Sequence, residues 1–392
     1  MKIAIATTTL FAENSPFNHL LKDILQGFLD AGHSIVRIAA VEHDDDDGYK
    51  LGIENDRITY IPVQRKSAAH GNIISRYLRD NWTAIRMAHI LRTIDADVLF
   101  EDVCYSSFWI VRAAKRKNMR VVAMLQDVWP DNAVQSGLIK ANSLLYKYFE
   151  CFQRYVYRRA DKMICISDDM KDFIVSKRVA ADNITVIYNW GYSDETVDIP
   201  WEENEFVKKY ELRQDVFYVI YAGNIGKMQN VELVVKTAAL LKDREDIQFL
   251  IVGGGAKEEA IRQMINHLEL PNVQMLPMQP SHLATSVYCA AGVNVIPLVQ
   301  NGVKTAMPSK TGVVLSCGRP VVFVFGKDCS FAKTLDESQA GFCVDASNPK
   351  ELVDEILRIM ALSEEALPKS TVLFNKCFRR SNNVLKYVEA IK

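Results

Sequence analysis

Neither sign of charge is in excess in this sequence: 47 lysines and arginines stand against 48 aspartates and glutamates, a formal charge of −1. A general nucleic-acid binder usually carries a clear basic surplus, so the balance argues against that class. Also missing is any uninterrupted apolar run of the roughly 18 residues that a membrane-spanning helix needs. Met1–Leu10 lacks a charged region ahead of a long apolar stretch and a small-residue cleavage site, and it reads as a first strand rather than a leader. The eight cysteines, from Cys104 to Cys377, include no C-x-x-C pair. Disulfide frameworks and thiolate metal sites therefore have no support, and free thiols in a reducing cytoplasm are expected. The seven histidines show no metal-ligand spacing.

What is present is a long chain of ordinary globular composition, 392 residues with 49% hydrophobic and 24% charged. That length exceeds the roughly 250–300 residues at which a single core stops growing, so two domains are expected. Short apolar runs alternate with helical patterns along the whole chain. Lys2–Thr7, Ser34–Ala39, Val98–Phe100, Val121–Leu125 and Lys162–Ser167 read as buried strands in the first half. Tyr218–Ala222, Gln248–Val252, Val273–Leu276, Gly292–Pro297, Pro320–Phe325 and Gly341–Val344 do so in the second. Helical stretches such as Asn18–Ala31, Ile73–Thr93, Val231–Lys242 and Pro349–Met360 separate them. This alternation predicts an α/β protein of two Rossmann-like, doubly wound parallel-sheet domains, with ligands at the C-terminal strand ends in a cleft between them. The acidic, aperiodic stretch Asn189–Glu205 marks the seam. The expected domains are residues 1–195 and 196–380, with a last helix over 381–392 packing back on the first domain.

Phosphate chemistry points to the second half. Tyr221-Ala222-Gly223-Asn224-Ile225-Gly226-Lys227 ends a strand ahead of a helix. Gly223 and Gly226 let backbone amides approach an anion there, and Lys227 adds a cation. Met307-Pro308-Ser309-Lys310-Thr311-Gly312 opens another helix, bringing hydroxyls of Ser309 and Thr311 and the Lys310 ammonium to one place. Ordinary strand-to-helix turns and helix caps are the alternative for each segment alone. Gly253-Gly254-Gly255 follows a strand but lacks the third glycine of a dinucleotide fingerprint, Glu258 standing there, so nicotinamide binding is rejected. A tight turn beside the cleft remains.

In the first half, Leu125-Gln126-Asp127-Val128-Trp129-Pro130-Asp131 leaves a strand. Asp127 is suited to hold a sugar or acceptor hydroxyl. Trp129 offers either a stacking face or packing, and Asp131 either an acceptor contact or a helix cap. The D-x-D pattern within Asp44–Asp47 reads as a solvated acidic loop, not a metal site. Aromatic and basic residues intermix over Tyr146–Arg159, and Arg112, Lys115, Arg116, Lys117 and Arg120 form a second basic group. Each is either an anionic membrane contact or a solvated helix face.

With these segments in order, the chain resembles the family 4 retaining glycosyltransferases of the GT-B fold, closest to their O-antigen and capsule branch with its fucosaminyl-type transferases. Asp30-Ala31-Gly32-His33-Ser34-Ile35, the 126–131 loop, Arg158–Ser167 and Tyr188-Asn189-Trp190 carry the likeness in the first half. Ala222–Lys227, Leu250–Gly255 and Pro308-Ser309-Lys310 through Gly318-Arg319-Pro320 carry it in the second. The resemblance implies a nucleoside diphosphate sugar, UDP-linked, held mainly by the second domain, and a polyprenyl-diphosphate-linked saccharide as acceptor. It assigns the diphosphate to Gly223, Asn224, Gly226, Lys227, Gln229, Ser309, Lys310 and Thr311, with Gly253 and Gly254 beside them and Met278 against the base. Asp127, Lys227 and Lys310 become the catalytic set. Asn14, Asn18, Trp129 and Asp131 fall on the acceptor side. Same-face transfer is implied, with the departing phosphate taking the acceptor proton, no metal, and a cytoplasmic site peripheral to the inner membrane face.

The sequence also departs from the family pattern. Relatives carry two glutamates eight residues apart where Thr305 and Val313 stand, and a basic pair where Asn224 and Gln229 stand. Glu13-Asn14-Ser15-Pro16-Phe17-Asn18 replaces a glycine-rich loop. A UDP-sugar 2-epimerase of the same fold and a catalytically silent nucleotide-sugar-binding subunit are the competing readings.

Overall fold

The computed structural model describes residues 1–10, 16–43, 47–65, 73–191 and 193–392. It divides into two compact units, Met1–Tyr188 with Arg380–Lys392, and Asn189–Arg379.

The first unit runs β1 (Lys2–Thr7), α1 (Pro16–Asp30), β2 (Ser34–Val41), β3 (Ile58–Gln64), α2 (Ile73–Thr93), β4 (Val98–Asp102), α3 (Ser107–Arg116) and β5 (Arg120–Leu125). It continues with α4 (Asp131–Gln135), α5 (Leu144–Arg159), β6 (Lys162–Cys165), α6 (Asp168–Ser176) and β7 (Ile184–Val186). All pairings are parallel, in the order β3-β2-β1-β4-β5-β6-β7. The order reverses beside β1, the switch point at which doubly wound sheets bind ligands. Burial explains the unbroken apolar runs: Ile3 to Ala6 and Val121 to Leu125 are all enclosed, because helices cover the sheet on both faces. Lys162–Ser167 does not stay extended to its end. Ser167 leaves the strand to cap α6, its hydroxyl accepting from Met170 N at 3.1 Å.

The last helix, α15 (Arg380–Ala390), closes this unit. A Cβ on Gly27 of α1 would stand 2.3 Å from Val384 Cγ1, so the close approach of α1 and α15 requires glycine. Tyr387 is fully buried with its ring 5.9 Å from Phe100, and Arg120 reaches the carbonyl of Ile391 at 3.3 Å.

The second unit runs α7 (Glu205–Lys209), β8 (Phe217–Ala222), α8 (Val231–Leu240), β9 (Ile247–Val252), α9 (Glu258–His267), β10 (Val273–Leu276) and α10 (Ala284–Cys289). Then follow β11 (Val293–Pro297), α11 (Thr311–Ser316), β12 (Val321–Val324), α12 (Ser330–Ser338), β13 (Phe342–Cys343), α13 (Pro349–Met360) and α14 (Ser370–Leu373). Its six parallel strands take the order β10-β9-β8-β11-β12-β13. One core, from Tyr221 and Phe249 to Leu352 and Ile356, fills the space between sheet and helices. Each such large side chain contributes on the order of 1.5–3 kcal/mol by leaving water. Residues 189–195, expected with the first domain, group with this second unit. Val197 N, just beyond them, donates to Ser316 O of α11 at 2.8 Å.

Candidate functional site

At the C-terminal ends of β8, β9 and β10 two glycine turns are locked together. Gly223 N donates to Val252 O at 2.9 Å, Ile225 N to Gly254 O at 2.8 Å, and Lys257 N returns to Ile225 O at 2.9 Å. Gly253 N reaches across to Leu276 O at 2.9 Å. A Cβ on Gly253 would lie 1.9 Å from the Gly223 carbonyl oxygen, and its φ of +150° is one that other residues rarely adopt. The Gly253–Gly255 turn, read from sequence only as a turn, is thus the brace that fixes the 222–226 loop.

Lys310 enters this frame from the far side of the sheet's sequence. Its Nζ donates to Ala222 O at 2.8 Å, lies 3.8 Å from the centre of the Tyr221 ring, and approaches Gly223. Tyr221 in turn donates to Asn224 O at 2.6 Å. Desolvation pushes the Lys310 ammonium down to about 7. A neighbouring anion would favour its charged form. Asn224 and Gln229 converge on Gly226, the Gln229 Oε1 and Asn224 Nδ2 atoms each standing within 3 Å of where a Cβ on Gly226 would be. Lys227 is exposed beside them, and Ser309 is exposed next to Lys310. Met278 is 56% exposed.

Other assignments made from sequence are corrected. Thr311 is fully buried and its hydroxyl donates to Pro308 O at 2.7 Å, so it serves the turn and not a ligand. The helix behind it, α11, has only six residues, and its dipole adds little to Lys310. The first turn of α8 already carries an acid, Glu232, paired with Lys257. Thr305 and Val313 are both buried, and Val313 packs against Gly191.

In the first unit Asp127 follows β5, next to Asp102 at the end of β4, where Asp102 pairs in register with Met124. Burial and then the Asp127 charge push the Asp102 carboxyl up to about 7. Asp127 is open to water by area yet ringed by protein. That partial desolvation raises its carboxyl, opposed by a hydrogen bond from Asn132. Both carboxyls are thus pushed up from the ordinary aspartate range, Asp102 by burial and its neighbour's charge and Asp127 by burial. Asp102 and the fully enclosed Glu101 were not singled out from sequence; the signal was two acids closing the apolar run Val98–Phe100.

Trp129 and Asp131 are structural. The Trp129 ring packs 5.5 Å from Tyr105 and 5.3 Å from Phe149, which removes it as a free stacking face. Asp131 accepts from Tyr146 Oη at 2.8 Å through one oxygen and pairs with Lys177 at 2.8 Å through the other, so both oxygens are engaged by the fold. Asn18 lies half-buried in the first turn of α1. Asn14 and Asp44–Asp46 lie outside the described residues, and Asp47 pairs with Lys50 at 2.7 Å. Among the described residues no three His, Cys, Asp or Glu side chains gather as a metal site would require, and no helix is long and apolar enough to cross a membrane.

Two family models divide the chain between them. Residues 18–190 match Glycosyltransferase Family 4, and residues 202–369 match Glycosyl transferases group 1. The two matches, with the relatives below, support a family 4 glycosyltransferase of the GT-B fold. It is 23% identical over 257 residues to a protein named probable glycosyltransferase WbjE of Pseudomonas aeruginosa, covering 65% of this chain and 64% of that one. It is 24% identical over 275 residues to WcaI of Escherichia coli K12, a glycosyl transferase assigned to colanic acid biosynthesis, covering 66% and 67%. The chain thus spans about two thirds of these curated relatives. Sucrose-phosphate synthase from Thermosynechococcus elongatus shares the fold at TM-score 0.77 and 15% identity, covering 98% of this chain and 97% of that one. Anabaena Alr3699/HepE, solved in complex with UDP and glucose, does so at 0.72 and 14%, covering 100% and 99%.

Proposed function

We propose that the chain is a retaining glycosyltransferase that moves a sugar from a UDP-linked donor to a polyprenyl-diphosphate-linked saccharide, in the cytoplasm at the inner membrane face, during assembly of a bacterial surface polysaccharide of the O-antigen or capsule kind. One observation carries the donor reading: Lys310 is held under the Gly223 turn with its charge suppressed by burial. A diphosphate arriving there would restore the full ammonium and gain a charge-assisted contact. Asn224, Gly226, Lys227, Gln229 and Ser309 supply the remaining polar contacts, and Gly253 and Gly254 set the loop that presents them.

In the proposed reaction the bond between the sugar C1 and the diphosphate oxygen breaks, its electron pair staying on the phosphate. The acceptor oxygen bonds to C1 on the same face, and its proton passes to the departing phosphate. Lys227 and Lys310 stabilise the charge that develops, and Asp127 orients the acceptor hydroxyl. We assign this neutralisation to the lysines rather than to a metal ion, so chelator should leave turnover unchanged.

Buried Thr305 and Val313, where the family resemblance leads one to expect glutamates, favour the silent-subunit alternative. Incubation with a panel of nucleotide sugars separates the readings. Acceptor-dependent UDP release with a retained anomer, read by proton NMR, supports transfer. An inverted product would remove the same-face route, epimerised donor without acceptor would indicate an epimerase, and binding without turnover would indicate the silent subunit.

A further inference from the structure

The first unit contains a cavity of about 340 Å³ that the donor chemistry does not use. It opens where β1, β2, β3 and β4 end, and its walls include Arg65, Arg76, Arg79, Asp80, Glu42 and Tyr105. This is the C-terminal edge of the sheet, where doubly wound folds place ligands. The volume lies at the low end of the roughly 300–1,000 Å³ of small-molecule sites, room for one monosaccharide unit.

The charges in the cavity are arranged unequally. Asp80 is 4% exposed and fully spent: it accepts from Arg65 Nε at 2.8 Å and Nη2 at 2.7 Å, from Arg79 Nε at 3.3 Å, and from the Tyr105 hydroxyl. Two largely buried guanidinium groups therefore share one carboxylate, which leaves an uncompensated positive charge in a partly dehydrated place. Arg76 adds a third guanidinium that has no ion-pair partner among the described residues, and Glu42 likewise stands unpaired at the rim. Planar guanidinium forks match phosphate and carboxylate oxygens. A lone carboxylate repels such a group but accepts hydrogen bonds from sugar hydroxyls.

We infer that this cavity recognises an anionic sugar, its phosphate or carboxylate held by Arg76 with Arg79 and Arg65, and its hydroxyls by Glu42. The inference rests on the transferase reading and deepens it: the acceptor unit that docks in the first domain carries a negative group. That group is either the anomeric phosphate of the first sugar on a lipid carrier or the carboxylate of a uronic acid unit.

The test is calorimetric titration of the full chain with glucose 1-phosphate, glucuronate and glucose, with UDP titrated in parallel. At least one anionic sugar should bind and glucose should not. Arg76→Gln should weaken that binding at least tenfold while Lys310→Met leaves it unchanged. Binding of glucose 1-phosphate alone would identify the lipid-carrier phosphate, and binding of glucuronate alone a uronic acid. Absence of both, or a loss that follows Lys310→Met instead, overturns the inference. UDP binding with no anionic sugar binding sinks this site and leaves the transferase reading standing. Anionic-sugar binding lost in Arg76→Gln, with no UDP binding, does the reverse. Arg76 is exposed, and an unchanged melting curve of Arg76→Gln confirms that the fold is intact.

Discussion

The ammonium of Lys310 lies 2.8 Å from the carbonyl oxygen of Ala222 and 3.8 Å from the centre of the Tyr221 ring, so the chain stores a desolvated cation at the end of β8. Burial takes it from the ordinary lysine value of 10.5 to about 7. Between those values the unfolded chain binds more protons than the folded one, so this residue makes stability rise with pH across that interval. A bound diphosphate favours the charged form and should raise the value again. UDP affinity is then greatest below about pH 7 and falls as pH climbs towards 9, with a proton taken up on binding. Calorimetry in buffers of different ionisation heat measures that uptake. Lys310→Met should abolish it and weaken UDP by about 10- to 100-fold, the equivalent of roughly 1.5–3 kcal/mol for a charged hydrogen bond. Equal proton uptake in the variant would remove Lys310 from the phosphate site.

Gly253→Ala tests the brace beneath the donor loop. The added methyl meets the Gly223 carbonyl at 1.9 Å, and backbone cannot step aside as a flexible side chain would. The expected cost is about 1–3 kcal/mol of overpacking, increased by strain at positive φ. A lowered urea midpoint and loss of UDP binding should appear together. A variant with wild-type stability would show that the two turns are not in contact.

Thr311→Val separates the hydroxyl's structural role from a ligand role. The hydroxyl donates to Pro308 O, which also accepts from Thr311 N at 3.0 Å, so its removal should cost no more than about 1 kcal/mol. UDP affinity should hold. A large drop in affinity at unchanged stability would return Thr311 to the donor site.

Asp102 and Asp127 should titrate as neighbours. Burial first, and the Asp127 charge second, lift Asp102 to about 7. Because the folded protein keeps this proton after the unfolded chain has lost it, stability falls as pH rises from about 4 to 7. Carbonyl-carbon NMR of the carboxyl groups should show one midpoint near neutrality, and Asp127→Asn should move it down. If it stays in place, the two groups do not sense each other.

Much of the architecture was readable because both faces of each sheet are covered, which turns strands into short apolar runs such as Val121–Leu125 and Gln248–Val252. The Ile58–Gln64 strand escaped notice because Pro62 interrupts it, a residue tolerated there only because β3 is the edge of its sheet. The turn glycines and Lys310 were legible as local chemistry. Their partners were not: Tyr221, Ala222 and Gly253 meet Lys310 and Gly223 only through strand order. For the same reason Asp131 and Trp129 looked available in sequence, whereas Tyr146, Lys177, Tyr105 and Phe149 come from distant segments to occupy them. Basic residues were equally ambiguous. Lys115 pairs with Asp161, Lys117 donates to Ile94 O, and Arg120 holds the C-terminal carbonyls, so most of that second basic group is committed to the fold.

The first basic helix is the remaining candidate for a membrane contact, and it differs from the other in its apolar exposure. Leu144 is 87% exposed at the start of α5, with Leu145 and Tyr148 close behind and Lys147, Arg158 and Arg159 facing water on the same helix. Neighbouring α2 presents Leu78, Trp82 and Ile85 to solvent at helical spacing, and the two helices are linked through Tyr77 and Tyr148, whose hydroxyls are 3.4 Å apart. Aromatic and leucine side chains beside basic ones suit the boundary of an anionic bilayer. Each cation near such a surface adds about 1 kcal/mol. Charge reversal at Arg158 and Arg159 should therefore cut sedimentation with phosphatidylglycerol vesicles by at least tenfold and leave neutral vesicles unaffected. Trp82→Ser should weaken binding with little change in its salt dependence, since it removes apolar contact and no charge. If both variants sediment like the wild type, α2 and α5 are solvated faces and the acceptor reaches the enzyme without the protein touching the lipid.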